Sequence, residues 1–185
     1  MNKYDVIIIG AGPSGIFCAY ELMRQKPDMK VLMIEKGRSI EKRQCPKRTT
    51  KVCVGCKPCS ITTGFAGAGA FSDGKLSLSP DVGGTLPEIL GYEKTEELIK
   101  EADNIYLKFG ADEKVYGIDD YEAIERIRAK AIRANLKLIE CPIRHLGTEE
   151  GYKIYTRLQE HLLSSGVEIK FMTMVQDIII EDGAA

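Results

Sequence analysis

The sequence predicts an α/β fold, and three features of the first 35 residues carry that prediction. Lys3–Ile9 is predicted to be a buried strand, because it ends in an unbroken β-branched run of the kind found in parallel sheets. Pro13–Gln25 has apolar residues at helical spacing, and Lys30–Glu35 is a second apolar strand. The apolar helix face consists of Ile16, Ala19, Tyr20 and Met23. A βαβ unit followed by helices and more strands is typical of α/β domains.

The rest of the chain is predicted to contain three further helices and three further strands. The helices are Glu93–Phe109 with Leu98, Ala102, Ile105 and Phe109 on one face, Asp119–Ala134 with Ile124, Ile127 and Ala131 inward, and Thr148–Ser165 ended by Gly166. Asp119 or Asp120 is expected to cap the second of these. The strands are Leu136–Ile139, Val167–Met172 and Met174–Glu181. Ser79–Gly91, with two prolines and three glycines, is predicted to be a loop.

This order divides the chain into three parts. Residues 1–91 form the amino-terminal part of a nucleotide-binding domain, with a cysteine-rich insert at 38–63. Residues 92–147 form a helical segment that we expect to start a substrate or cap domain, and residues 148–185 return to the first domain.

Composition indicates a soluble globular protein, with 44% hydrophobic and 29% charged residues. The net charge of −1 gives no reason to expect nucleic acid or an anionic membrane as a partner. No apolar run is long enough to cross a bilayer. Because the first strand begins near Lys3, no room is left for a targeting peptide, and a cytoplasmic location is expected.

The turn after the first strand is a G-x-G-x-x-G motif, Gly10-Ala11-Gly12-Pro13-Ser14-Gly15. Its position between a buried strand and a helix is what gives the motif meaning. Gly10 permits the tight turn, Gly12 lets the backbone approach a pyrophosphate, and Gly15 lets helix and strand pack closely. Pro13 suits the first helical position. The free N–H groups and the dipole of the helix start attract phosphate.

An acid stands where a ribose diol would be bound. Glu35 follows Gly15 by 20 residues, at the end of the second strand. Its charge disfavours a 2′-phosphate, so NADP is not expected. The motif predicts a Rossmann-like, three-layer domain that binds a dinucleotide, and by itself it leaves FAD and NAD open.

The run Asp5-Val6-Ile7-Ile8-Ile9-Gly10-Ala11-Gly12-Pro13-Ser14-Gly15, followed by Glu35-Lys36-Gly37, resembles the start of FAD-dependent oxidoreductases of the glutathione-reductase-like superfamily. The resemblance implies that the turn binds the FAD pyrophosphate and that Glu35 and Lys36 lie at the adenosine ribose. We therefore expect FAD as the cofactor.

A run of small residues, Gly64-Phe65-Ala66-Gly67-Ala68-Gly69-Ala70-Phe71, would let the main chain approach a ligand, although a flexible loop has the same composition. With Lys75-Leu76 and Ser79-Pro80 behind it, this run resembles the uncharacterised FAD-dependent dehydrogenase group. By that resemblance Gly67, Gly69, Ala70 and Phe71 lie against the FAD near its pyrophosphate or flavin end, and the backbone of Val175 contacts the adenine.

Members of that group are longer and carry a later Gly-Asp motif that holds the ribityl chain. This sequence stops at Ala185, before such a motif. We therefore expect an amino-terminal fragment with an incomplete domain.

Four of the six cysteines, Cys45, Cys53, Cys56 and Cys59, have the spacing C-x7-C-x2-C-x2-C. The close triplet matches iron–sulfur proteins, and Cys45 is the natural fourth ligand, with Cys141 as a substitute. A structural zinc, a dithiol–disulfide pair beside the flavin and no special role all remain open. Eight basic residues between Lys36 and Lys57 would stabilise thiolates, but they could equally bind FAD phosphates or be solvated. Cys18, in the first helix, is expected to be buried.

The expected function is flavin-mediated hydride or electron transfer with a small-molecule substrate or an electron donor or acceptor. The alternative is a non-catalytic fragment that binds FAD or NAD. The two histidines, His145 and His161, are far apart with no nucleophile pattern, so a hydrolase triad is not supported. No catalytic side chain is predicted.

Overall fold

The computed structural model describes residues 3–72 and 74–180. They form two compact units, the first from residues up to 72 together with residues from 151 onwards, and the second from the residues between them up to 150. The sequence placed its boundaries at 91/92 and 147/148. The assignment of residues 92–147 to a substrate or cap domain stays a prediction.

The first unit contains a three-stranded parallel sheet. Its strands are β1 (Val6–Ile9), β2 (Val31–Ile34) and β6 (Glu168–Lys170), in the order β1-β2-β6. Val6 pairs with Val31, and Leu32 pairs with Glu168. Helix α1 (Pro13–Gln25) joins the first two strands, so the predicted βαβ unit is confirmed.

The core of this unit lies between the sheet and two helices. In α1 the buried residues are the four that the helical spacing predicted, Ile16, Ala19, Tyr20 and Met23. Helix α6 (Thr148–Ser164) buries Ile154, Leu158 and Leu162 completely, and the ring of its His161 lies 5.4 Å from that of Tyr20. The helix ends before Gly166, whose φ of +96° favours glycine, as the sequence predicted.

The opposite face of β1 is more open. Ile7 and Ile9 are 45% and 55% exposed, whereas Ile8 between them faces α1. The segment after β6 runs past this face, where Val175, Ile178 and Ile179 line a cavity of about 620 Å³ together with Ile7 and Ile9. The predicted strand Met174–Glu181 is wrong over residues 174–180, because its β-branched residues find no partner strand there; Glu181 lies outside the described residues.

The connection from β2 to the second unit contains only short helices. These are a 3₁₀ turn at Ile40–Lys42, α2 (Lys47–Thr50) and a 3₁₀ helix at Gly67–Phe71.

The described residues of the second unit before α6 form a small antiparallel sheet and three helices. Its strands are β3 (Lys75–Ser77), β4 (Val115–Tyr116) and β5 (Ile143–His145), in the order β3-β5-β4. Its helices are α3 (Leu86–Leu90), α4 (Tyr92–Lys108) and α5 (Tyr121–Arg133). Arg144 of β5 is buried and donates to both carboxylate oxygens of Asp103 of α4, at 2.5 and 2.7 Å.

Several predictions for this unit need correction. The predicted strand at residues 136–139 is wrong. The strand lies instead at Ile143–His145, which pairs with both β3 and β4. The predicted loop at 79–91 contains α3. Asp120 caps α5 as expected, by accepting from Ala123 N at 2.8 Å, but α5 buries none of its residues, and Ile127, predicted to face inward, is 54% exposed.

Within residues 3–72 and 74–180, no helix has the length and apolarity needed to cross a membrane.

Candidate functional site

The glycine turn has the geometry that its motif predicts. Gly10 has a φ of +99°, and its N–H donates to the Ile34 carbonyl at 2.8 Å, so the turn is tied to the end of β2. Gly12 is the residue before α1 and Pro13 begins the helix, with Ser14 exposed beside it. The N–H groups of the first helical turn have no acceptor within the helix.

Gly15 and Gly12 differ in the space that a side chain would have at each position. A Cβ on Gly15 would lie 2.1 Å from the Gly10 carbonyl oxygen, so this glycine is required for helix–strand packing. A Cβ on Gly12 would meet nothing within 4 Å. Packing within the chain therefore does not explain Gly12, and the open space beside it fits a ligand that approaches the backbone.

The carboxylate of Glu35 is buried against this turn. It is 6% exposed; its Oε2 accepts from Ala11 N at 2.8 Å, and its Oε1 accepts from Gly37 N at 2.7 Å. Each oxygen retains capacity for a further hydrogen bond. Glu35 thus links the glycine turn to the loop that follows β2.

A cavity of about 400 Å³ opens beside this carboxylate. Four residues predicted to bind the cofactor, Gly10, Glu35, Lys36 and Val175, line it together. Thr173 also lines it, and its N–H donates to the Glu35 carbonyl at 3.0 Å, which brings the segment after β6 to the end of β2. The structure therefore assembles these residues from three separate parts of the chain.

The small-residue run lies next to the glycine turn. Ala66 N donates to the Ala11 carbonyl at 2.7 Å, and a Cβ on Gly67 would lie 3.7 Å from the Gly12 Cα. Further along the run, a Cβ on Gly69 would come within 3.3 Å of the Tyr155 hydroxyl, and Ala70 is buried. That the run contacts a cofactor stays a prediction, but its place beside the turn is compatible with it.

The Arg43 side chain joins the cysteine-rich loop to the small-residue run. Its guanidinium donates to the carbonyls of Ser60 at 3.0 Å, Ile61 at 2.6 Å, Phe65 at 2.5 Å and Gly67 at 2.7 Å. It also lies 4.7 Å from the ring centre of Phe71. Burial lowers the pKa of Arg43, and the nearby charges of Glu35 and Cys59 oppose that shift. In the sequence Arg43 was one of eight clustered basic residues, with no pattern to set it apart.

The structure does not support the predicted metal centre. Among the described residues, which include Cys45, Cys53, Cys56 and Cys59, no three Cys, His, Asp or Glu side chains are placed to hold a metal ion. Cys53 and Cys59 are exposed, and Cys45 and Cys56 are half-buried. Cys18 is exposed rather than buried.

Comparison with known proteins adds evidence for the first βαβ unit. Residues 1–41 match the Thi4 family. The thiamine thiazole synthase of Coprinopsis cinerea is 52% identical over 33 residues, which are 18% of this chain and 10% of that protein. The range matched by the family holds β1, α1, β2 and Glu35, and it ends before the cysteine-rich loop is complete.

Solved structures resemble the chain over nearly its whole length. The 3-ketosteroid-Δ4-(5α)-dehydrogenase of Rhodococcus jostii has a TM-score of 0.53 at 17% identity, over 97% of this chain and 40% of that one. The L-amino acid deaminase of Proteus vulgaris gives 0.51 at 11%, over 99% and 43%. Glycine oxidase of Bacillus cereus gives 0.50 at 17%, over 97% and 49%. The predicted Rossmann-like α/β fold is confirmed, and the chain spans less than half of each of these proteins.

Proposed function

We propose that the first unit binds FAD and that the protein is an FAD-dependent oxidoreductase. The observation that carries this proposal is the placing of Gly10, Glu35, Lys36 and Val175 around one cavity beside a glycine turn whose Gly12 faces open space. An acid at the end of the second strand and a bare backbone at the helix start are what a ribose and a pyrophosphate require.

The residues of the chain would bind and orient the cofactor. Glu35 would accept hydrogen bonds from the ribose hydroxyls while it continues to hold Ala11 and Gly37. Gly12 and the start of α1 would hold the pyrophosphate. Gly67, which lies next to Gly12, would form a neighbouring wall of that site. When bound, FAD itself supplies hydride or electron transfer. No catalytic side chain is assigned.

Two lines of support favour FAD over NAD. The sequence from Asp5 to Gly15 with Glu35-Lys36-Gly37 resembles FAD-dependent oxidoreductases, and the run from Gly64 to Phe71 lies directly beside the turn, where a simple βαβ unit has no further segment. The proteins of similar fold are named as a dehydrogenase, a deaminase and an oxidase, which agrees with redox chemistry without identifying a substrate.

The likeness to thiamine thiazole synthase supports nucleotide binding rather than a shared reaction. It covers 33 residues, within a unit that serves to bind a dinucleotide. We do not extend the synthase activity to this chain.

Titration of the purified chain with FAD, NAD and ADP tests the proposal. We expect FAD to bind most tightly, ADP more weakly through the cavity beside Glu35, and NAD more weakly than FAD. Tighter binding of NAD than of FAD would identify NAD as the ligand. If the folded chain binds none of the three, the proposed site is refuted. FAD binding without turnover of any electron donor would favour a non-catalytic binding module.

A further inference from the structure

The cysteine-rich loop lines an open cavity that shares no lining residue with the cavity beside Glu35. Its volume is about 390 Å³. Residues from three stretches of the first unit line it: the loop after β2, the region of Cys56 to Ser60, and Met172 after β6. Met172 N donates to the Gly37 carbonyl at 2.9 Å, so this wall is fixed to the loop.

Three cations line this cavity and no carboxylate does. The cations are Arg38, Lys42 and Lys57. None of them forms a salt bridge with the residues that the structure describes. All three are exposed, and together they give the cavity a positive charge that attracts anions.

The nearest acid in the sequence, Glu41, is engaged elsewhere. Its carboxylate accepts from Ser39 Oγ at 2.5 Å and from Gln159 Nε2 at 3.0 Å. Burial acts to raise the pKa of Glu41, but hydrogen bonds to its carboxylate and the nearby charge of Lys42 leave it lowered, so the group stays ionised at neutral pH. It is not among the residues that line the cavity.

The remaining polar groups of the cavity can donate hydrogen bonds. Gln44, Thr49 and Ser60 line it, and within the described residues neither hydroxyl has a hydrogen-bond partner in the protein. The half-buried thiols of Cys45 and Cys56 complete the wall. A guanidinium, two ammonium groups and two hydroxyls form a donor set suited to phosphate or carboxylate oxygens.

We propose that this cavity binds a small oxyanion, with its phosphate or carboxylate group held by Arg38, Lys42 and Lys57 next to the thiols of Cys45 and Cys56. The site is distinct from the dinucleotide site and does not require FAD.

Competitive alkylation tests the proposal because two cysteines line the cavity and an exposed one, Cys53, does not. Each thiol is reacted with anionic iodoacetate and with neutral iodoacetamide, and the modified peptides are quantified by mass spectrometry. The ratio of the two rates cancels differences in thiolate fraction. We expect this ratio to be about tenfold higher at Cys45 and Cys56 than at Cys53, through local attraction of the anionic reagent.

Ligand protection provides the second readout. Pyrophosphate or malonate, at equal ionic strength, should slow the reaction of Cys45 and Cys56 but not that of Cys53. Stronger protection by pyrophosphate identifies a phosphate-bearing ligand, and stronger protection by malonate identifies a carboxylate. Equal reagent ratios at all three cysteines, with no protection by either anion, would overturn the proposal.

Variants connect these effects to the cations. Combined Lys42→Gln and Lys57→Gln substitutions should lower the reagent ratio at Cys45 and Cys56 to that at Cys53 and should remove the protection by anions. Lys47 is an exposed lysine of the same loop outside the cavity, so Lys47→Gln should leave both effects unchanged. Protection should persist in Gly12→Val, which separates this cavity from pyrophosphate binding at the glycine turn. Loss of protection in Gly12→Val, or its retention in the double variant, would reject the assignment.

Discussion

The Oε2 atom of Glu35 lies 2.8 Å from the backbone nitrogen of Ala11, so the acid at the end of β2 holds the glycine turn at the end of β1. Its second oxygen holds Gly37 N at 2.7 Å. Glu35, which is expected to bind a ribose, therefore also holds the glycine turn and the loop after β2 through its own hydrogen bonds. Its two roles should be separable by measuring stability and binding in the same variant.

Glu35→Gln should weaken both the stability of the fold and the binding of FAD. The amide nitrogen of glutamine cannot accept, so one of the two backbone N–H groups loses its partner in a buried place. We expect the free energy of unfolding and that of FAD binding each to fall by about 1–3 kcal/mol. Urea unfolding and FAD titration measure the two, with the exposed Glu160→Gln of the same unit as control. A variant as stable and as tightly binding as the parent would show that Glu35 has neither role.

Gly12→Val should abolish dinucleotide binding and leave the fold intact. Gly12 has a φ of −75° and a ψ of 177°, which valine adopts readily, and its added Cβ would meet no protein atom within 4 Å. The valine methyl groups would instead occupy the space of a pyrophosphate. An unchanged urea midpoint together with lost FAD binding is the expected result; undiminished FAD affinity in the folded variant would mean that the phosphates lie elsewhere.

Gly15→Ala should have the opposite effect, a loss of stability. The added Cβ would lie 2.1 Å from the Gly10 carbonyl oxygen and 3.3 Å from Ile8 Cγ2, so helix and strand must move apart. We expect a cost of about 1–3 kcal/mol or more in the free energy of unfolding. Gly151→Ala in α6 is the matched control, because its Cβ would meet nothing within 4 Å. Equal stability of the two variants would contradict the close packing.

What the sequence predicted well is local. The bounds and buried face of α1 follow from an apolar period of 3.6 between a glycine turn and Pro27, all within one segment. Contacts between distant segments could not be predicted from periodicity. Gly67 lies against Gly12, but the local pattern of neither segment indicates that the two meet. Strands of two or three residues such as β5 are too short to show a period, and residues 174–180 have strand composition but no partner.

The same limit explains the miss in α5 and at Arg43. The pattern of α5 predicted a helix and its cap correctly, but not whether anything packs on Ile127. Arg43 was indistinguishable from its basic neighbours until the structure showed which carbonyls surround it. The metal centre, which the structure does not support, shows the same limit: spacing gives the order of the thiols along the chain and not their positions in space.

Arg43→Lys should loosen the small-residue run despite keeping the charge. A single ammonium cannot reach four carbonyls that a planar guanidinium serves together. We expect the free energy of unfolding to fall by about 2–4 kcal/mol, as buried carbonyls lose charged donors, and FAD affinity to fall because Gly67 is no longer held at the turn. Arg48→Lys is the control, since Arg48 also faces Phe71, at 5.6 Å, but is exposed. Equal effects of the two substitutions would remove the special role of Arg43.

The thiol of Cys59 should ionise at lower pH than an ordinary cysteine. Hydrogen bonds from the backbone of Thr62, then from the backbone of Ile61 and the Thr62 hydroxyl, lower its pKa by stabilising the thiolate, and the charge of Arg43 adds to this. Because the thiolate is the nucleophile, the rate of alkylation by iodoacetamide should rise at lower pH for Cys59 than for a small free thiol. Peptide mapping of the protein alkylated at about pH 6 to 10, a range that contains the pKa of an ordinary thiol, measures the pH dependence of the alkylation rate. Thr62→Val keeps the backbone donor and loses the hydroxyl, so it should move the profile part of the way back toward higher pH. A Cys59 profile that coincides with that of the free thiol would refute the hydrogen-bonded thiolate.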